Sequence, residues 1–198
     1  MAQPQLKKWT FEAFFAWQET QGSRFELVDG FPHKLMTGAR NVHNDIVINV
    51  LSELRNQLRT SACYPFAGDC SVETSPGQIR RPDIGVECGP RDPHAYIAKN
   101  PRLIAEVLSP STRDFDTYGK LNEYKLIQSL QFILIIEPNS PEIIVWSREI
   151  GGEWSSAAFD NLNDIIDLPA ICAKLPLKEI YDRVVFPARN YLTLLQKD

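Results

Sequence analysis

At 198 residues, with 43% hydrophobic and 23% charged side chains, the chain has ordinary globular composition and the length of one domain, residues 1–198. That length can bury a core without disulfides or a structural metal. A formal net charge of −4 and a pI near 5.5 exclude a uniformly basic surface, the usual mark of a nucleic-acid binder, while leaving room for one basic face.

Cys63, Cys70, Cys88 and Cys172 form no CxxC pair, and the three histidines are too few to complete zinc sites with them. A Cys63–Cys70 bridge is conceivable, but the expectation is four reduced thiols in a cytoplasmic protein. The first ten residues are polar, with no signal core, and no stretch approaches the roughly 18 consecutive apolar residues of a membrane span. No membrane partner is expected.

In chain order, Thr10 caps an expected helix from Phe11 to about Gln21, ended by Gly22-Ser23. Residues 25–28 and 33–36 flank Asp29-Gly30 and predict a hairpin. Ile46, Val50, Leu54 and Leu58 recur every fourth residue and predict a long amphipathic helix from about Val42 to Arg59. Two β segments follow, Tyr64 to Thr74 and Ile79 to Val86, around Ser75-Pro76-Gly77. Leu103 to Leu108 is a short apolar strand. Asp116 caps an expected helix to about Leu130, with Leu121, Tyr124, Ile127 and Leu130 on its apolar face. Phe132 to Ile136 is a continuous apolar run, as in a strand buried on both faces. Residues 142–147 and 154–159 predict another hairpin around Gly151-Gly152, and a short helix near Leu177 to Arg183 precedes an amphipathic C-terminal turn. No internal repeat or linker interrupts this mixed α/β order.

Three places put ionisable groups where apolar ones are expected. Pro82-Asp83 interrupts a β segment and removes a ladder donor, which marks an edge or bulge where Asp83 can be aimed. Glu106 is embedded among Leu103, Ile104, Ala105, Val107 and Leu108, so its carboxylate must be paired, protonated or metal-bound. Lys120 lies on the next helix with Tyr124 one turn on. Taken singly, Asp83 is also a turn carboxylate, Glu106 an outward strand residue and Lys120 a solvated helix lysine. Two carboxylates on neighbouring strands plus a lysine nevertheless meet one chemical need: phosphodiester hydrolysis uses a divalent cation held by carboxylates and a cation near the attacking water.

Glu26-Leu27-Val28-Asp29-Gly30, His43 opening a helix, Arg81-Pro82-Asp83, and the run Glu106-Val107-Leu108-Ser109-Pro110-Ser111-Thr112 with Asp114, Lys120 and Tyr124 behind it form a further pattern. Together, over roughly residues 10–185, they resemble the Uma-type family of bacterial restriction-endonuclease-like proteins, formerly a domain of unknown function. That family falls in the P-D-(D/E)-x-K nuclease superfamily. The resemblance implies a central mixed β-sheet flanked by helices, a Mg²⁺- or Mn²⁺-dependent endonuclease acting on DNA, and Asp83, Glu106 and Lys120 as catalytic residues. Asp83 and Glu106 match the two acidic motif positions, and Glu26 matches a further acidic position that would complete the metal site. Leu108 stands where the superfamily has its lysine, and Lys120 matches the variant in which that lysine moves to the following helix. Phe31 departs from the acidic residue usual after the Asp-Gly turn.

His43 and Tyr124 are candidate supports; each has a plain alternative, a local hydrogen bond or a core-edge position. Ser109, Ser111, Thr112 and Arg113, beside Glu106, are candidate contacts to the nucleic-acid backbone or simply a loop capping the next helix. Arg80 and Arg81 either contact phosphate or balance carboxylates. A homodimer is expected, with the strand from Glu142 to Trp146 and Tyr191, Leu192, Leu194 and Leu195 as an interface unless they pack on their own domain. The rival reading is a catalytically inactive nucleic-acid-binding or dimerisation module on the same fold. A small-molecule hydrolase using Glu106 as base lacks a nucleophile motif or a Gly-rich phosphate loop.

Overall fold

The computed structural model describes residues 7–35, 39–109 and 119–187. Helix α1 (Phe11–Gln18) begins where the Thr10 hydroxyl accepts the Ala13 N–H at 3.2 Å and stops three residues short of the expected Gln21. Strands β1 (Phe25–Val28) and β2 (Phe31–Lys34) form the expected hairpin. Asp29 and Gly30 have φ of 52° and 82°, the two left-handed positions a type I′ turn requires. Helix α2 (Asn41–Gln57) buries Ile46, Val50 and Leu54.

The two β segments expected next are four strands: β3 (Cys63–Ala67), β4 (Val72–Ser75), β5 (Gln78–Arg80) and β6 (Ile84–Cys88). β4 and β5 join the first hairpin in a sheet of order β2-β1-β5-β4. β3 and β6 instead pair with each other in a second sheet. The chain therefore leaves that sheet at Gly68-Asp69 and returns at Arg81-Pro82-Asp83. The missing N–H of Pro82 falls at this crossing, where no ladder bond is lost.

The second sheet continues through β7 (Pro101–Val107), β8 (Phe132–Glu137), β9 (Glu142–Ser147) and β10 (Ser155–Phe159), in the order β10-β9-β8-β7-β6-β3. Its neighbours are antiparallel except β7 and β8, which run parallel. Both faces are covered. Leu103, Ala105, Val107, Leu134 and Ile136 pack toward α2, the hairpin of β11 (Ile165–Leu168) and β12 (Ala173–Pro176), and α4 (Leu177–Ile180). Ile104, Ile133 and Ile135 pack on the opposite side against Leu121, Tyr124, Ile127 and Leu130. Each leucine, isoleucine or valine among these contributes about 1.5–3 kcal/mol by burial. A separate aromatic cluster of Phe14, Phe15, Leu27 and Ile79 seats α1 on the smaller sheet. The β11–β12 hairpin has no counterpart in the sequence reading.

Beyond β7, the expected helix to Leu130 is corrected: α3 spans only Leu121–Tyr124, entered by a wide π-type turn at Gly119-Lys120. Leu121, Tyr124, Ile127 and Leu130 are spaced by three, not by 3.6 on average. Successive three-residue turns, with Ile127 N–H on Tyr124 O and Leu130 N–H on Ile127 O, keep all four on one face. The Asp116 cap lies outside the described residues.

Strand β9 is no free interface: β8 and β10 flank it, and Ile143 and Val145 are buried in the chain's own core. Tyr191, Leu192, Leu194 and Leu195 lie outside the described residues. The expectation of four reduced thiols is also corrected. Cys63 and Cys88 are direct cross-strand partners on β3 and β6 and form a disulfide, leaving Cys70 and Cys172 free. Register, invisible in the sequence, chose Cys88 over Cys70. The disulfide removes the reduced-thiol argument for a cytoplasmic location. Among the described residues, no helix is long and apolar enough to cross a membrane.

Candidate active site

Asp83 stands immediately before β6 and Glu106 one residue before the end of the adjacent antiparallel β7. The alternation that sends Ala105 and Val107 to one core turns Glu106 to the other face, beside Ile135 and beneath α3. It is 2% exposed. A carboxylate so placed needs donors, and two reach the same oxygen. Lys120 Nζ lies 3.2 Å from Glu106 Oε1, and the Tyr124 hydroxyl donates to it at 2.6 Å. Tyr124 is wholly buried, so its ring is core and its hydroxyl is site.

Asp83 is held from the other layer. His43, in the first turn of α2, meets Asp83 Oδ2 at 3.1 Å, and the Val107 N–H donates to the same oxygen at 2.9 Å. Burial raises the Asp83 carboxyl. The His43 bond and charge, the Val107 N–H and the nearby Lys120 ammonium outweigh it, so the group lies below its ordinary value. Lys120 thus acts on both carboxylates, touching one and biasing the other.

Glu26, on β1, is 4% exposed and takes the Arg80 guanidinium at 2.9 Å and the Arg81 N–H at 2.9 Å, one on each oxygen. Lys120 Nζ stands 3.9 Å away. The expected set of three carboxylates around one ion, Asp83, Glu106 and Glu26, is not assembled. Among the described residues no three His, Cys, Asp or Glu side chains are gathered to hold a metal. Glu26 is instead seen paired with Arg80 and the Arg81 backbone N–H. The remaining oxygen pair, Asp83 and Glu106, still suits Mg²⁺ or Mn²⁺, because Mg²⁺ keeps much of its water and needs only one or two carboxylates besides substrate phosphate.

Of the two arginines, Arg80 balances carboxylates: its Nε and Nη2 meet the two Glu123 oxygens at 2.6 Å each. Arg81 is half-buried and donates to the Phe25 carbonyl at 3.1 Å and to the Asp69 carbonyl. Ser109 lies two residues beyond the end of β7, half-buried, while Ser111, Thr112 and Arg113 lie outside the described residues. Sequence reasoning missed Glu123. Its one visible signal is its place between Lys120 and Tyr124, which puts any partner of Glu123 in control of both.

The chain's residues 11–177 match the family model described as "Uma2: Putative restriction endonuclease". It is 28% identical over 177 residues, covering 88% of this chain and 92% of the relative, to the uncharacterized protein slr1290 of Synechocystis sp.. The fold is similar, with a TM-score of 0.68 and 18% identity, to the crystal structure titled a putative nuclease belonging to DUF820 from Anabaena variabilis, covering 89% of this chain and 99% of that one. The mixed central sheet with flanking helices is therefore shared with that structure, and the family supports nuclease activity in general terms. With most of its length inside the family model, the chain belongs to the Uma2 family, described as putative restriction endonucleases.

Proposed function

We propose that the protein is a metal-dependent endonuclease that hydrolyses phosphodiester bonds of DNA. The observation that carries this reading is Lys120, whose ammonium reaches a 2%-exposed strand carboxylate, Glu106, at 3.2 Å, with Asp83 on the neighbouring strand. A lysine and two carboxylates at adjoining strand ends match the needs of phosphoryl hydrolysis.

Asp83 and Glu106 would hold Mg²⁺ or Mn²⁺. Such an ion, when bound, supplies Lewis acidity toward a phosphate oxygen and acidifies a water. Lys120 places positive charge where the phosphate gains negative charge. Tyr124 fixes the Glu106 carboxylate, and His43 with the Val107 N–H fixes Asp83. Asp83 keeps 28% of its side chain exposed, against 3% for Glu106 and 9% for Lys120, so it is the member of the three that solvent reaches most. Cutting both strands would use two copies, the homodimer expected above, which sedimentation in the presence of duplex DNA would reveal.

The test is cleavage of supercoiled plasmid and single-stranded DNA with Mg²⁺ or Mn²⁺ by wild type and by Asp83→Ala, Glu106→Ala and Lys120→Ala. Metal-dependent nicking lost in all three variants supports the reading. No cleavage by wild type with either metal would sink it, and DNA binding without cleavage would favour an inactive binding module.

A further inference from the structure

Arg80 is the largest fully buried side chain among the described residues, at 2% exposure. A guanidinium taken out of water persists only with its donors paired, and among the described residues Arg80 reaches carboxylates on two elements. One arm of the fork meets both oxygens of Glu123 on α3 at 2.6 Å, the bidentate geometry that arginine has and lysine lacks. Its Nη1 meets Glu26 on β1 at 2.9 Å. The Thr74 hydroxyl on β4 adds a contact to Glu123 at 3.3 Å.

Helix α3 (Leu121–Tyr124) is tied to the sheets through its side chains: Leu121 and Tyr124 pack in the core, and Glu123 accepts from Arg80. Glu123 lies three residues after Lys120 and one before Tyr124, the two groups that grip Glu106. Glu26, Arg80's other partner, stands 3.9 Å from the same lysine. Arg80 thus pairs with two carboxylates, Glu123 and Glu26, that both adjoin the lysine.

We infer that Arg80 is a positioning residue: by clamping Glu123 and Glu26 it sets where Lys120 and Tyr124 stand over Glu106. The catalytic part of this inference rests on the nuclease reading; the placement of Lys120 does not. Arg80→Lys keeps the charge and removes the fork, so it separates pairing from simple neutralisation. Glu123→Gln removes the carboxylate at the other end with little change of shape.

The experiment labels lysines of the intact folded chain with acetic anhydride and reads Lys120 by peptide mass spectrometry. Lys174 and Lys178, with side chains 66% and 67% exposed, serve as internal standards. Thermal unfolding and plasmid-nicking kcat and KM are measured on the same samples. In folded Arg80→Lys, Lys120 should label at least about fivefold faster, while kcat falls at least about tenfold with KM within about twofold, because positioning acts on the transition state. A merely structural arginine would lower the unfolding temperature and leave Lys120 labelling and kcat unchanged, which overturns the inference. If Arg80→Lys does not fold, Glu123→Gln decides by the same readings, and wild-type labelling in it refutes the clamp. If wild type cleaves no DNA, the nuclease reading fails separately, and the labelling arm still decides whether Arg80 places Lys120.

Discussion

Tyr124 and Lys120 converge on a single oxygen of Glu106, at 2.6 and 3.2 Å, from positions one helical turn apart. Removing the hydroxyl by Tyr124→Phe deletes a hydrogen bond to a buried charged group, a loss of about 1.5–3 kcal/mol. Urea unfolding should show that destabilisation with an unchanged m-value, and nicking should slow by about tenfold or more.

Lys120→Met should cost more. It removes the cation beside two carboxylates that are 2% and 4% exposed, and breaking a buried pair from one side costs about 3–5 kcal/mol. The double variant Lys120→Met/Glu106→Gln should recover part of that stability without recovering cleavage. Denaturant titration of the four species in this cycle checks the coupling.

Asp83 predicts a pH dependence. Its folded carboxyl lies below the ordinary value of 3.8, so the unfolded chain binds this proton more readily. The stability it contributes is therefore fully present above about pH 4 and is lost as pH falls through the lower folded value. Asp83→Asn should be less stable than wild type at pH 7, and the two acid-unfolding curves should converge toward pH 2. His43→Ala should remove part of the same difference, since the His43 bond is the largest influence lowering the group.

Gly85 packs face-on against Phe66 across the β3–β6 pair, and a Cβ there would fall well inside contact distance of three ring atoms. Gly85→Ala should destabilise by about 1–3 kcal/mol through overpacking. Adding Phe66→Leu should return some of that loss, a sign opposite to the usual effect of emptying a core. Differential scanning calorimetry of the single and double variants tests it.

The disulfide predicts two titratable thiols, Cys70 and Cys172, in the native oxidised chain, and four after denaturation with reductant. The bridge spans a sequence separation of 25, and its removal should lower stability by about 2–4 kcal/mol. A native count of four thiols would refute the Cys63–Cys88 pairing.

What the sequence made legible was local. Asp29-Gly30 names its own turn, the fourfold spacing of α2 names its buried stripe, and Glu106 stands out as a charge inside an aliphatic strand. Contacts between distant residues were not legible. Arg80 and Glu123 are 43 residues apart, and neither flanking pattern shows that one points at the other. The same holds for Cys63 and Cys88, brought opposite by register, and for the division of residues 64–86 between two sheets. Glu26 shows the limit within the site itself. Its acidic identity was visible, but its pairing with a buried arginine from β5 is a long-range contact that no periodicity encodes.

One topological fact bears on Lys120. β7 and β8 are the sheet's parallel pair, so the chain between Val107 and Phe132 cannot be a hairpin and must travel back over the sheet before re-entering. That return path brings residues 119–130 over the face that carries Glu106. A lysine therefore reaches Glu106 without a place on β7. Leu108 packs in the core, and the cationic group rides on a strap whose Leu121, Tyr124 and Leu130 are themselves buried, so the strap answers to the core as well as to the site.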